Sequence, residues 1–177
     1  MWVTLASIFM LFAGLVAAYA FANSRQGLWR PVRIPPQMWV GTVALAFSSI
    51  FLQAARNRLR RGKLLTYRKL LFAAAGLGTL FLVSQSLAWL NLAVQGVFLK
   101  GNPHGSMWFA FTGFHAAHVA GGMIAMVMLL AGSGKLREED GETPLRKHRN
   151  FAMVTAMYWH FMGVLWAVLF GLLQYWN

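Results

Sequence analysis

Five apolar runs, each near or above the ~20 residues that a helix needs to cross a bilayer, divide this chain into spans and short connections. They cover roughly residues 2–22, 37–55, 70–97, 107–132 and 151–175. Lipid offers no partner for backbone N–H and C=O groups, so each run must satisfy its own as an α-helix. The connections, 23–36, 56–69, 98–106 and 133–150, are short enough to set sequential neighbours antiparallel. The expected fold is therefore all-α, a polytopic membrane protein. It is a five-transmembrane-helix antiparallel bundle forming a single domain over residues 1–177. The third run is the longest and is expected to tilt or fray at its outer end. The first ends on Ala20-Phe21-Ala22, which mimics a signal-cleavage site. It lacks a basic leader and its apolar stretch exceeds that of a signal peptide, so it reads as a retained helix.

Charge supports the same reading. Only 11% of the chain is charged and 58% is hydrophobic, against about 25% charged in a soluble domain. A net charge of +12 would suggest a nucleic-acid partner in a soluble protein. Here the sixteen Lys and Arg lie between the apolar runs, where they set topology and meet anionic headgroups, so no nucleic-acid partner is expected. Twelve of them fall in the second and fourth connections: Arg56, Arg58, Arg60, Arg61, Lys63, Arg68 and Lys69, then Lys135, Arg137, Arg146, Lys147 and Arg149. Four (Arg25, Arg30, Arg33 and Lys100) fall in the first and third. The positive-inside rule puts the second and fourth connections and the N-terminus in the cytoplasm, and the C-terminus outside. All four acidic residues, Glu138, Glu139, Asp140 and Glu142, sit in the fourth connection and read as a solvated loop. With no cysteine, disulfides and thiolate metal sites are excluded.

Local signals fill in the turns. Pro35-Pro36 stops the chain before the second helix, Gly101-Asn102-Pro103 marks a tight outer turn, and Ser106 is the expected N-cap of the fourth helix. Trp2, Trp29, Trp39, Tyr67, Tyr175 and Trp176 lie near segment ends, where amphipathic rings settle at the membrane interface.

The chemistry inside the spans reduces to three histidines. His115 and His118 lie three apart in the fourth run, with Thr112 a turn before and Gly122 a turn after, so they share a stripe that faces another helix. At ~1.5 Å per residue, His115 lies roughly 12 Å and His118 roughly 16 Å below the outer edge, and His160 roughly 22 Å deep on the fifth helix. His118 and His160 are thus expected near one level on adjacent helices. Three roles fit: interhelical hydrogen bonding to Thr112, Gln85, Tyr158 or backbone carbonyls; axial ligation of a b-type haem; or a proton path. Two histidines well separated on each of two helices would be needed for a dihaem arrangement, and no Asp or Glu lies in any span to extend a proton relay. Ser48, Ser49, Gln53, Ser84, Gln85, Ser86 and Asn91 make the remaining polar interior of the second and third helices. There is no nucleophile–base pair and no phosphate loop, so no catalytic residue is assigned.

Thr112-Gly113-Phe114-His115-Ala116-Ala117-His118-Val119 closely resembles the Thr-Gly-Phe-His-Gly-x-His-Val signature of subunit III of the haem-copper oxidases. Tyr158-Trp159-His160-Phe161-Met162-Gly163-Val164-Leu165-Trp166 is similar to that family's closing Tyr-Trp-His-Phe-x-Asp-x-x-Trp. Met10 to Tyr19, Ser48-Ser49 after Trp39, and Phe81-Leu82 with Gln85 and Trp89 resemble the intervening helices in order, so the likeness spans nearly the whole chain.

The resemblance implies an accessory subunit of a proton-pumping respiratory terminal oxidase in the bacterial cytoplasmic (inner) membrane. It would be the short five-helix form that lacks the first two helices of the large one. Haem and copper would sit in partner subunits, with no cofactor or metal in this chain. The partners would be oxidase subunit I, subunit II and a subunit IV, together with phospholipid, in a membrane-embedded hetero-oligomer. His115, His118, His160, Thr112, Gln85, Trp108, Trp159 and Trp166 would shape the interhelical polar core and its contacts with partner or lipid. Three acidic positions of the family are replaced here, by Ile8 after Ser7, by Ala88 and by Gly163, which favours a structural role over proton handling. Each replacement also avoids a buried-charge cost of ~3 kcal/mol. A subunit of a quinol oxidase, a nitric-oxide-reductase-associated subunit and a small b-type cytochrome with haem on His118 and His160 are the alternatives.

Overall fold

A computed structural model of the chain describes residues 2–25, 35–95, 103–136 and 142–175. The described residues form five α-helices and no strand: α1 Trp2–Arg25, α2 Gln37–Arg60, α3 Leu64–Val94, α4 Pro103–Lys135 and α5 Glu142–Tyr175. Each contains a stretch long and apolar enough to cross a membrane. At 1.5 Å per residue, the 31, 33 and 34 residues of α3, α4 and α5 give rods of roughly 47–51 Å. That exceeds a bilayer of about 40–45 Å including its headgroups.

The helices therefore run past their apolar cores, and three expectations are corrected. The connection expected over 56–69 is almost wholly helical, leaving Arg61–Lys63 as the link. Arg and Lys are good helix formers and can keep their stems on apolar surface while their heads reach water, so charge does not end the helix. What ends α2 is Gly62, at φ 73°. Its N–H donates to Leu59 O (3.2 Å) and the Lys63 N–H to Arg58 O (3.0 Å), the paired bonds of a Schellman stop that needs a left-handed residue. Ser106 is not the N-cap of α4, which already begins at Pro103. Proline suits a first helical position because its missing N–H would have had no partner there. Tyr67 does not face outward from its helix end: it is 1% exposed, and its hydroxyl lies 2.9 Å from His148 Nε2. Trp2, Trp39 and Tyr175 are exposed at helix ends as expected; Trp29, Trp176 and the Gly101-Asn102 turn lie outside the described residues.

Packing makes a ring and an appendage. α2 lies along α3, α3 on α4, α4 on α5, and α5 returns to α2, while α1 reaches the others mainly through α4. The α2–α3 pair is close because Gly41 faces Ser84: a Cβ there would lie 2.2 Å from Ser84 Oγ. At one end of the ring, two adjacent residues of α3 hold both following helices. The Arg68 guanidinium donates to the carbonyls of Ser133, which also accepts from the Leu136 N–H, and of Leu136 (2.8 Å for Leu136), at the end of α4 where carbonyls lack helical partners. Tyr67 meets His148 of α5, ring edge to ring face at 5.7 Å.

Candidate functional site

The centre of the ring is the Trp159 indole. It stands mid-span on α5, is 0% exposed, and reaches each of the other three ring helices. Its Nε1 donates to Ser48 Oγ of α2 (3.1 Å), and that hydroxyl donates on to Ala74 O of α3 (2.7 Å). Its six-membered ring fills the space over two glycines. A Cβ on Gly78 of α3 would come within 3.0 Å of Trp159, and one on Gly122 of α4 within 2.9 Å. Small residues let backbones approach closely where no hydrophobic effect drives helices together. Here they make room for a bicyclic ring, and the one polar atom of that ring is hydrogen-bonded as burial in lipid requires.

Toward the outer side as the basic connections define it, a second indole repeats the device. Trp166, one more buried residue of α5, donates from Nε1 to Thr42 Oγ1 of α2 (3.0 Å), and Thr42 donates to Met38 O (2.8 Å). His115 stacks on this indole, centroids 5.0 Å apart and planes 29° apart. Phe81 of α3 closes the imidazole edge-on at 5.9 Å, and Phe12 of α1 at 6.4 Å. His115 is 0% exposed, and neither ring nitrogen has a hydrogen-bond partner among the described residues. A third indole, the half-buried Trp89 of α3, donates to Thr112 Oγ1 (3.0 Å), which donates to Trp108 O (2.8 Å). Gln85 lies between Phe81 and Trp89 on the same face of α3, 1% exposed, with both amide atoms unpartnered among the described residues.

The three histidines do not meet. The Tyr158 hydroxyl donates to His118 O (2.8 Å), so α4 near His118 and α5 near His160 do lie at similar depth, but their rings diverge. His118 Nδ1 pairs with Phe114 O of its own helix (2.6 Å), and its ring abuts Phe12 of α1 at 5.9 Å. His160 Nε2 lies 3.2 Å from Gln53 Oε1 of α2. Helical spacing of three turns two side chains about 60° apart. That is enough to send His115 into the ring and His118 toward α1. Thr112 pairs with Trp89 rather than with either histidine. Trp108 is buried against Phe109, edge-on at 6.2 Å. Among the described residues, no three His, Cys, Asp or Glu gather as a metal site would require.

Sequence reasoning missed Ser48, Gly78 and Thr42 as partners of Trp159 and Trp166, and Trp89 as the donor to Thr112. A tryptophan far from either segment end calls for a small residue beside it and an oxygen for its N–H, but does not say which.

Fold and centre together define a polytopic helical membrane protein whose mid-membrane chemistry is a set of indole-to-hydroxyl clasps. The chain belongs to the cytochrome c oxidase subunit III family, whose model matches residues 2–177. It is 32% identical to cytochrome c oxidase subunit 3 of Corynebacterium diphtheriae, over 91% of this chain and 78% of that one. It is 29% identical to a probable cytochrome c oxidase subunit 3 of Mycobacterium bovis, over 98% of this chain and 84% of that one. With cytochrome c oxidase subunit 3 of Thermostichus vulcanus it shares 30% identity, over 93% of this chain and 79% of that one.

Proposed function

We propose that this chain is an accessory, non-redox subunit of a proton-pumping terminal oxidase that reduces dioxygen with electrons from cytochrome c. It packs against subunit I, and with subunit II and a further small subunit it completes the complex in a bacterial cytoplasmic membrane. Haem and copper belong to the partners. The N-terminus faces the cytoplasm and the C-terminus the outside, following the basic connections. One observation carries the reading. Four of the residues through which the chain resembles its family, Thr112, His115, Trp159 and Trp166, hold helices to one another. Such a centre stabilises a bundle, and a stable bundle is what an accessory subunit offers its catalytic partner and the lipid around it.

The test is co-purification in mild detergent through a tag on the C-terminus. Recovery of a haem-copper subunit I with a copper-binding subunit II is the expected result. A quinol oxidase or a nitric-oxide reductase as partner would keep the family and change the reaction. A b-haem absorption band in the reduced-minus-oxidised spectrum of the isolated chain would overturn the non-redox assignment.

A further inference from the structure

The ring encloses two polar side chains that its clasps leave out. Gln85 of α3 is 1% exposed and His115 of α4 is 0% exposed. Both amide atoms of Gln85 and both ring nitrogens of His115 lack a hydrogen-bond partner among the described residues. Unpaired polar atoms are costly in any protein interior, and within a bilayer no bulk solvent reaches them. The two side chains also lie at one level. α3 and α4 run antiparallel, since Arg68 meets Leu136 at the end of α4 and Trp89 meets Thr112 near its start. Gln85 is four residues from Trp89, roughly 6 Å along its helix, and His115 three residues from Thr112, roughly 4.5 Å along its own. Both steps lead the same way from the Trp89–Thr112 bond. Phe81, one turn beyond Gln85, reaches the His115 ring at 5.9 Å.

The hydroxyls around this level are committed elsewhere. Thr112 accepts from Trp89 and donates to Trp108 O. Thr42 accepts from Trp166 and donates to Met38 O. Ser84, beside Gln85, donates to Phe81 O. Backbone groups at this depth belong to the helical ladders. What Gln85 and His115 offer is complementary all the same. The amide has a donor and an acceptor, and a neutral imidazole has one of each. A water both donates and accepts, so it can join two groups that stand too far apart to bond directly. Buried waters settle where two to four polar groups converge.

We propose that the ring binds an ordered water between Gln85 and His115. The water ties α3 to α4 a turn deeper than the Trp89–Thr112 bond, where the indole clasps supply no link of their own. The Trp166 face and the edges of Phe81 and Phe12 close around the imidazole, so the water is held as a structural ligand and kept from bulk solvent. Phe12 belongs to α1, which thereby supplies one wall of the site. The site depends on the bundle alone, whatever reaction the partner subunits perform.

The test is electron cryo-microscopy of the complex recovered through the C-terminal tag, in a map sharp enough to show ordered water elsewhere in the same helices. One density is expected within hydrogen-bond reach, about 2.7–3.2 Å, of both a Gln85 amide atom and a His115 ring nitrogen. In Gln85→Met, which keeps an unbranched chain and loses the amide, the Trp89–Thr112 bond stays and the density goes. A direct bond between the two side chains, a protein or lipid atom in that place, no density there, or a density that survives Gln85→Met would each overturn the proposal. The map of the unaltered protein decides even where a variant fails to assemble. Unfolding by denaturant in detergent gives a second readout. Gln85→Met and His115→Leu should each raise the unfolding constant, because each strands the other side chain. Combined, they should raise it roughly two- to tenfold less than the product of the single effects. Effects that simply multiply would mean that no water couples the two residues.

Discussion

The ring α2–α5 and the helix α1, the most apolar of the five, are held by different means. In the ring, Trp159 and Trp166 of α5 tie directly to hydroxyls of α2, Gly78 and Gly122 admit an indole, and Arg68 and Tyr67 fasten one end. α1 joins through a single stripe, Leu5, Ile8, Phe12 and Tyr19, and rings of that stripe rest on α4: Phe12 on His115 and His118, Tyr19 on Phe111. Its other faces are exposed. In lipid, apolarity does not bind one helix to another; close fit and satisfied polar groups do. The ring is a self-sufficient unit by that standard, and α1 is an attachment.

The sharpest way to break this comparison is to remove the central indole. Trp159→Ala is expected to cost about 3–5 kcal/mol, the usual range for emptying an aromatic site in a core, and it also leaves the Ser48 hydroxyl without its donor. Unfolding by denaturant titration in detergent should register the loss across the whole ring. If Trp159→Ala unfolds no earlier than the unaltered chain, the ring has no keystone and the distinction from α1 fails.

Glycines sharpen it next, because both regions contain them. Gly122→Val would drive methyl groups into Trp159, for about 1–3 kcal/mol by the measure of overpacked cores. Gly14→Ala in α1, where a Cβ meets nothing within 4 Å, should be neutral or stabilising by up to about 1 kcal/mol. Similar losses at both positions would mean that α1 is packed as tightly as the ring. Arg68→Gln tests the fastened end. Losing a charged donor to two carbonyls should cost about 1.5–3 kcal/mol, and hydrogen exchange should rise selectively in the last turn of α4.

Most of the architecture was legible in the sequence, and for one reason: a bilayer turns hydropathy into helix positions almost without ambiguity. Helix ends were misplaced because Arg56–Arg60 and Arg68-Lys69 mark where the membrane stops, not where the helix does, and Gly62 was the real punctuation. Trp159 and Trp166 stood out in the sequence, but what they touch did not. Ser48, Thr42 and Gly78 are distant in the chain, and nothing in a single sequence pairs them with an indole. The histidine stripe misled because spacing specifies a face and not a neighbour. His115 and His118 both touch Phe12 of α1, yet only His115 is also enclosed by the ring aromatics Phe81 and Trp166.

That divergence yields the smallest effect and the finest discrimination. His118→Leu removes a side-chain bond to Phe114 O, a carbonyl inside α4 that keeps its place in the helical ladder. The ring should lose no more than about 1 kcal/mol, the net worth of one ordinary hydrogen bond. The carbonyl that accepts from Tyr158 belongs to the His118 backbone and is untouched by the substitution. What should change is the seat of Phe12, so the readout belongs to α1: faster proteolysis or exchange in residues 2–25, with the denaturation midpoint of the ring nearly fixed. A ring destabilised as severely as by Trp159→Ala would make His118 part of the centre after all. No change in the ring, in α1 or in recovery of the oxidase partner would leave the second histidine of the signature without a structural role.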